Sequence, residues 1–149
     1  MKKTQLFFVA LLSAFTLAFT SCDKEEVTKD TDPTLYERLG EQAAIEAVVD
    51  QFITNVAADT RINSFFATTD IPRLKRLLVE QICQATGGPC EYTGRDMKSS
   101  HAGLGITTED FNALVEDLVA ALDEFNVPSA EQNELLGILG PLAPDIIEE

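Results

Sequence analysis

From Ile45 to Val56 the apolar residues Ile45, Val48, Val49, Phe52, Ile53 and Val56 fall at i, i+3, i+4, i+7, i+8 and i+11, one unbroken face of an α-helix. The period returns in Leu74, Leu77, Leu78, Gln81, Ile82 and Ala85, and again in Phe111, Leu114, Val115, Leu118, Val119, Leu122 and Phe125. No stretch shows sustained alternation of apolar and polar residues with hairpin signals, so the class is all-α. The chain has 149 residues, the size of one domain, with 45% hydrophobic and 24% charged residues, an ordinary globular balance.

Capping and breaking residues divide these stripes. Thr34 opens a short helix bearing Leu35 and Leu39 that stops at Gly40. A turn at Asp59, Thr60 and Arg61 leads to Ile62, Phe65 and Phe66, aromatics that suit a wall of the core or of a cofactor pocket. Asp70 caps the next helix, with Pro72 in its first turn, and Gly87-Gly88-Pro89 ends it. An irregular link over 89–96 precedes a short helix from Met97 to Leu104, which Gly103 and Gly105 terminate. Thr107 or Thr108 caps the long stripe that follows, and Ser129 with Gln132 reads as a capping box for a last helix carrying Leu135, Leu136, Ile138 and Leu139.

His101 is the one histidine of the chain, and Met97, His101 and Leu104 at i, i+4 and i+7 turn it to an apolar face. Two readings are open. A core histidine would donate its ring N–H to a carbonyl, whereas a ligand histidine would hold a metal. A solitary histidine cannot assemble a zinc site, but it can supply the one protein bond that haem iron needs.

The first 21 residues lie outside the domain. Met1-Lys2-Lys3 is a basic start, Leu6 to Phe19 is nearly continuous apolar sequence, and Thr20-Ser21-Cys22 closes it with small residues, the pattern of an export signal. The apolar run is about 14 residues, short of the roughly 20 that span a bilayer. Cys22 resembles the cysteine of a bacterial lipoprotein box, with Phe19 in place of the usual Leu or Val; simple secretion is the alternative. Residues 22–33 then form a charged tether, and 34–149 the folded domain. Lys24 followed by Glu25 and Glu26 resembles a surface-export signal of bacterial lipoproteins, or is only a spacer. The expected location is the bacterial envelope, an outer-membrane lipid anchor facing the periplasm or the cell surface.

Loss of residues 1–21 removes Lys2 and Lys3 and no acid, which deepens the formal charge of −14 by two. A chain this acidic has no surface for nucleic acid and no electrostatic attraction to anionic lipid, so membrane attachment would rest on acyl chains at Cys22. Export permits a disulfide between Cys83 and Cys90, although Cys83 also suits a small buried apolar position. No Cys-x-x-Cys-His motif occurs, which points any haem to noncovalent binding.

Several runs together resemble the group I truncated haemoglobins: Leu35-Tyr36-Glu37-Arg38-Leu39-Gly40, Phe65-Phe66 followed by Thr69-Asp70, Gly87-Gly88, Tyr92-Thr93-Gly94-Arg95-Asp96-Met97 before His101, and Phe111 to Phe125. The resemblance implies a truncated globin fold, a two-over-two helical sandwich around haem b, with His101 as the proximal iron ligand. It places Phe52, Phe66, Leu74, Leu78, Met97 and Leu104 around the haem, and makes Lys75, Arg76 and Arg95 candidates for the propionates. Phe52, Ile53, Leu74, Leu77, Leu78 and Gln81 would form the distal ligand pocket.

On that side the chain departs from the family. Members often stabilise bound oxygen with a tyrosine after the phenylalanine of the second helix and with Gln or His on the third, positions that here read Ile53, Leu74, Leu77 and Leu78. Losing a charge-assisted hydrogen bond is worth about 1.5–3 kcal/mol, so weak oxygen retention and poor discrimination against carbon monoxide are expected. Gln81, on the same stripe, either reaches the ligand or finds a partner on a neighbouring helix. The implied activity is binding of O2, NO or CO with no catalytic residue. Alternatives are nitric oxide dioxygenation, which would require an unidentified electron donor, peroxide consumption, or haem carriage on the envelope.

Overall fold

The computed structural model describes residues 32–148; the leader, Cys22 and most of the tether lie outside them. Seven α-helices follow in order: α1 (Leu35–Arg38), α2 (Glu41–Ala58), α3 (Ile71–Ala85), α4 (Met97–His101), α5 (Thr108–Glu124), α6 (Ser129–Leu139) and α7 (Ala143–Ile146). Short 3-10 turns occupy Asn63–Phe66 and Gly140–Leu142. No strand occurs among the described residues, and none of their helices is long and apolar enough to cross a membrane.

Helix α2 is the centre of the fold. Its six stripe residues, Ile45 to Val56, are all buried and pack against α3 on one side and α5 on the other. Helix α5 approaches it through Ala113, Leu118, Ala121 and Leu122, where the two alanines let the backbones come close. Thr107, not Thr108, is the N-cap of α5; its hydroxyl accepts from the Asp110 amide and the Asp110 carboxylate accepts from the Thr107 amide. A second capping box joins Thr34 and Glu37 on α1.

Four local expectations change. Helix α4 ends at His101, because Ala102 leaves helical geometry, so Leu104 sits in the following loop, 44% exposed. Ala85, at the end of α3, is exposed, and the buried face there is Val79, Ile82 and Cys83. Phe125 caps α5 and is 46% exposed, since the chain has already turned toward Asn126 in left-handed geometry. The Ser129–Gln132 capping box does not form. Pro128 is the N-cap, its fixed φ leading straight into the helix, and the Gln132 amide instead donates to Asp123 Oδ1 (2.8 Å) and the Val127 carbonyl (2.9 Å), tying α6 to the end of α5.

Cys83 and Cys90 are bonded, with Cα atoms 5.7 Å apart. Gly88 makes this tight return possible, because a Cβ there would lie 2.7 Å from Cys83 Sγ and 2.6 Å from Tyr36 Cδ2. Closing so short a loop is worth about 2–3 kcal/mol in the chain-entropy estimate. The double variant Cys83→Ser/Cys90→Ser is therefore expected to lose about that much in denaturant unfolding, with native helix content by circular dichroism retained.

Among the described residues Asp117 departs from good polar pairing: its Oδ2 is buried with no hydrogen-bond partner. Burial pushes its carboxyl above the usual range, and Asp59 and Glu116 push the same way against Arg61. A raised carboxyl costs stability above its folded pKa and ceases to do so as acid protonates it. Asp117→Asn is expected to add about 0.5–1 kcal/mol at pH 7, with the gain shrinking toward low pH in thermal melts across that range.

Candidate functional site

Asp96 starts α4 by accepting the Ser99 amide at 2.8 Å, a bond that holds its carboxyl below the ordinary range. One turn on, His101 Nδ1 stands 2.7 Å from the Met97 carbonyl oxygen. A carbonyl only accepts, so Nδ1 carries a proton and donates, which leaves Nε2 as the ring nitrogen that can meet a metal. The side chain is half-buried. A core histidine and a metal ligand would both make this bond; the neighbouring surfaces separate them.

Helix α3 has two apolar faces. Val79, Ile82 and Cys83 are buried against the core, while Leu74, Leu77, Leu78 and Gln81 line a flank about 140° around the helix that is only half-buried. Gln81 identifies what this flank faces, since its amide Nε2 lies 3.8 Å from Met97 Sδ on α4, the residue one turn before His101. Leu74 and Leu78 also pack on the core cluster that holds Phe52 and Ile53, each 7% exposed. Phe65, Phe66 and Leu114 are half-buried against the same cluster, and Phe111, Val115 and Val119 give α5 a half-buried flank of its own.

The link before α4 is stitched to α3. Besides the disulfide, Gln84 Oε1 accepts the Tyr92 amide at 2.6 Å, and Glu80 Oε2 accepts the Thr93 amide and hydroxyl at 3.1 and 2.7 Å. Arg76 pairs with Glu80 and donates to Thr93 Oγ1 at 3.0 Å. The Tyr92 hydroxyl donates to the Arg95 carbonyl at 2.8 Å.

Of the cations expected near an anionic ligand, two are engaged elsewhere: Lys75 with Asp50 at 2.7 Å and Arg76 with Glu80. Both face a cleft of about 340 Å³ between α2 and α3. Arg95 makes no ion pair among the described residues, and neither do Arg73 and Lys98, which sequence reasoning missed. Arg95 lies in the link just before α4, Arg73 in the first turn of α3, and Lys98 in α4 itself. The available signal was their position, in the first turn of α3 and beside His101.

An all-helical fold centred on one long helix, with a single imidazole one turn after a methionine that touches a half-buried apolar flank, is the arrangement expected of a globin. The chain belongs to the bacterial-like globin family, whose pattern matches residues 34–148. Among its relatives are the group 1 truncated hemoglobins of Mycolicibacterium paratuberculosis, 42% identical over 113 residues (76% of this chain, 83% of the relative), and of Synechocystis, 37% identical over 111 residues (72% and 90%). The crystal structure of truncated hemoglobin from Tetrahymena pyriformis in its Fe(III) form is 32% identical, with a TM-score of 0.75 over 78% of this chain and 100% of that one. The 2/2 hemoglobin from Synechococcus sp. PCC 7002, with covalently attached heme, scores 0.74 at 33% identity and the same coverage. The fold is thus the two-over-two globin sandwich, and membership implies a haem cofactor.

The residues present suit that group. The donor set is one imidazole with Nε2 free to coordinate, next to apolar flanks and unpaired cations, and no cluster of three or more His, Cys, Asp or Glu suited to a bare metal ion occurs among the described residues.

Proposed function

We propose that this chain binds haem b noncovalently through His101 Nε2 and takes up a diatomic ligand, O2, NO or CO, on an apolar distal side. The carrying observation is the half-buried apolar flank of α3, which reaches Met97 one turn before the only histidine of the chain; the 2.7 Å bond from His101 Nδ1 to the Met97 carbonyl leaves Nε2 as the atom to coordinate. Haem, when bound, supplies the iron at which such ligands are held. Phe66, Met97 and Leu104 line its surroundings, and the unpaired Arg73, Arg95 and Lys98 pair with its propionates in place of Lys75 and Arg76. Noncovalent binding is favoured because Cys83 and Cys90 are spent on each other. Anchoring by a lipidated Cys22 in the envelope belongs to the same proposal and rests on the leader pattern of residues 1–21.

The distal side offers the ligand no hydrogen bond. Phe52, Ile53, Leu74, Leu77 and Leu78 have no donor, and the Gln81 amide is turned to Met97 Sδ. Without that bond oxygen affinity drops by about 1.5–3 kcal/mol, roughly tenfold to a hundredfold. Stopped-flow release of oxygen from the reduced, haem-loaded protein is expected to be fast, and Gln81→Ala to leave it unchanged. Release as slow as in a globin with a distal donor would contradict the reading, and acceleration by Gln81→Ala would name Gln81 as that donor.

A further inference from the structure

Helix α4 has five residues, too few to persist by themselves, so the stance of His101 depends on what grips each end of the helix. The disulfide, Gln84 and Glu80 hold the N-terminal end to α3. The other end is gripped from the far end of the chain. Glu148 Oε1 accepts the Gly103 amide at 2.7 Å and Oε2 accepts the Gly105 amide at 2.6 Å, while the Glu148 amide donates to the Ile106 carbonyl at 2.9 Å. Helix α7 delivers this carboxylate by packing against α4.

The loop is shaped to receive it. Gly103 at φ +79 and Gly105 at φ +65 turn successive amides to one side, the concave arrangement that holds an anion. Space is not the reason for these glycines, since a Cβ at either would meet nothing within 4 Å; backbone conformation is. The amides in turn hold the Glu148 carboxyl below its ordinary range, which keeps it ionised at neutral pH.

We propose that Glu148 is a positioning residue for the axial histidine: seated in the nest that begins two residues past His101, it makes the C-terminal segment a strap that fixes where the imidazole stands. The inference rests on the haem reading above. With the strap in place the loop over 102–106 is pinned, and iron meets an imidazole already placed. Without it, that ordering must occur when haem binds, and the proximal bond is held less firmly.

The test compares full-length wild type with Glu148→Ala, Glu148→Gln and a chain ending at Ile147, each loaded with haem. Haem transfer to excess apomyoglobin and the iron–histidine stretching band of the reduced protein by resonance Raman are the readouts, with far-ultraviolet circular dichroism reporting the fold. Glu148→Ala and the truncation are expected to lose haem about tenfold faster and to shift or broaden the band at unchanged helix content. Glu148→Gln, which keeps one acceptor, is expected to fall between. Haem loss and a band identical to wild type in Glu148→Ala and in the truncation would overturn this inference alone. Failure of wild type to take up haem would overturn both it and the proposed function.

Discussion

Replacing His101 with alanine is expected to lower haem affinity at least about a hundredfold, roughly 3 kcal/mol, and to remove the Soret band from protein purified without added haem. No other imidazole exists in the chain, and the two cysteines of the folded domain are joined in a disulfide, so no side chain of equal donor strength stands in for it. Free imidazole added to the variant should restore part of the binding, because the flanks of α3 and α5 remain. Haem titration followed at the Soret band, with helix content measured in parallel, separates lost ligation from lost folding. A variant that retains its Soret band at wild-type affinity would remove His101 from the site.

The second large effect lies on the opposite side. Leu78→Gln places a donor on the half-buried flank of α3, one turn before Gln81 and packed toward Phe52 and Ile53. Dioxygen in a ferrous globin draws negative charge and carbon monoxide draws little, so one new N–H donor stabilises the first by about 1.5–3 kcal/mol and the second hardly at all. Oxygen release is expected to slow roughly tenfold to a hundredfold while carbon monoxide release stays near wild type, both measured by stopped flow. Equal slowing of the two ligands would point to a steric change, and no change in either would place Leu78 away from the ligand.

Much of this fold is written locally. The stripe from Ile45 to Val56 is buried at all six positions, Thr34 and Asp70 start the helices they were expected to start, and Thr107 is the cap of the two that were open for α5, because a helix face and a cap are decided within a few residues. Helix α3 shows where local reading stops. Its apolar positions cover more than one face, and periodicity alone does not separate Val79, Ile82 and Cys83, which are buried, from Leu74, Leu77 and Leu78, which are only half-buried. Partners distant in sequence were equally out of reach. Lys75 finds Asp50, Arg76 reaches Thr93, and the short helix of His101 is held by Glu148, 47 positions on. Leu104 was expected on a helical face, but the helix ends at His101 where Ala102 turns extended, and the left-handed glycines on either side of Leu104 make the loop a seat for a carboxylate. His101 itself was legible as a ligand only through the order of residues around it. Its tautomer became visible once the Met97 carbonyl stood 2.7 Å from Nδ1.

The most direct measurement is the absorption spectrum of the purified wild-type protein, supplied with haem, in the ferric form and then reduced with and without carbon monoxide. Stoichiometric haem uptake is expected, with a sharp Soret band that shifts on adding carbon monoxide to the reduced protein. A protein that gains no Soret band beyond that of free haem, or whose reduced spectrum ignores carbon monoxide, would contradict the proposed function.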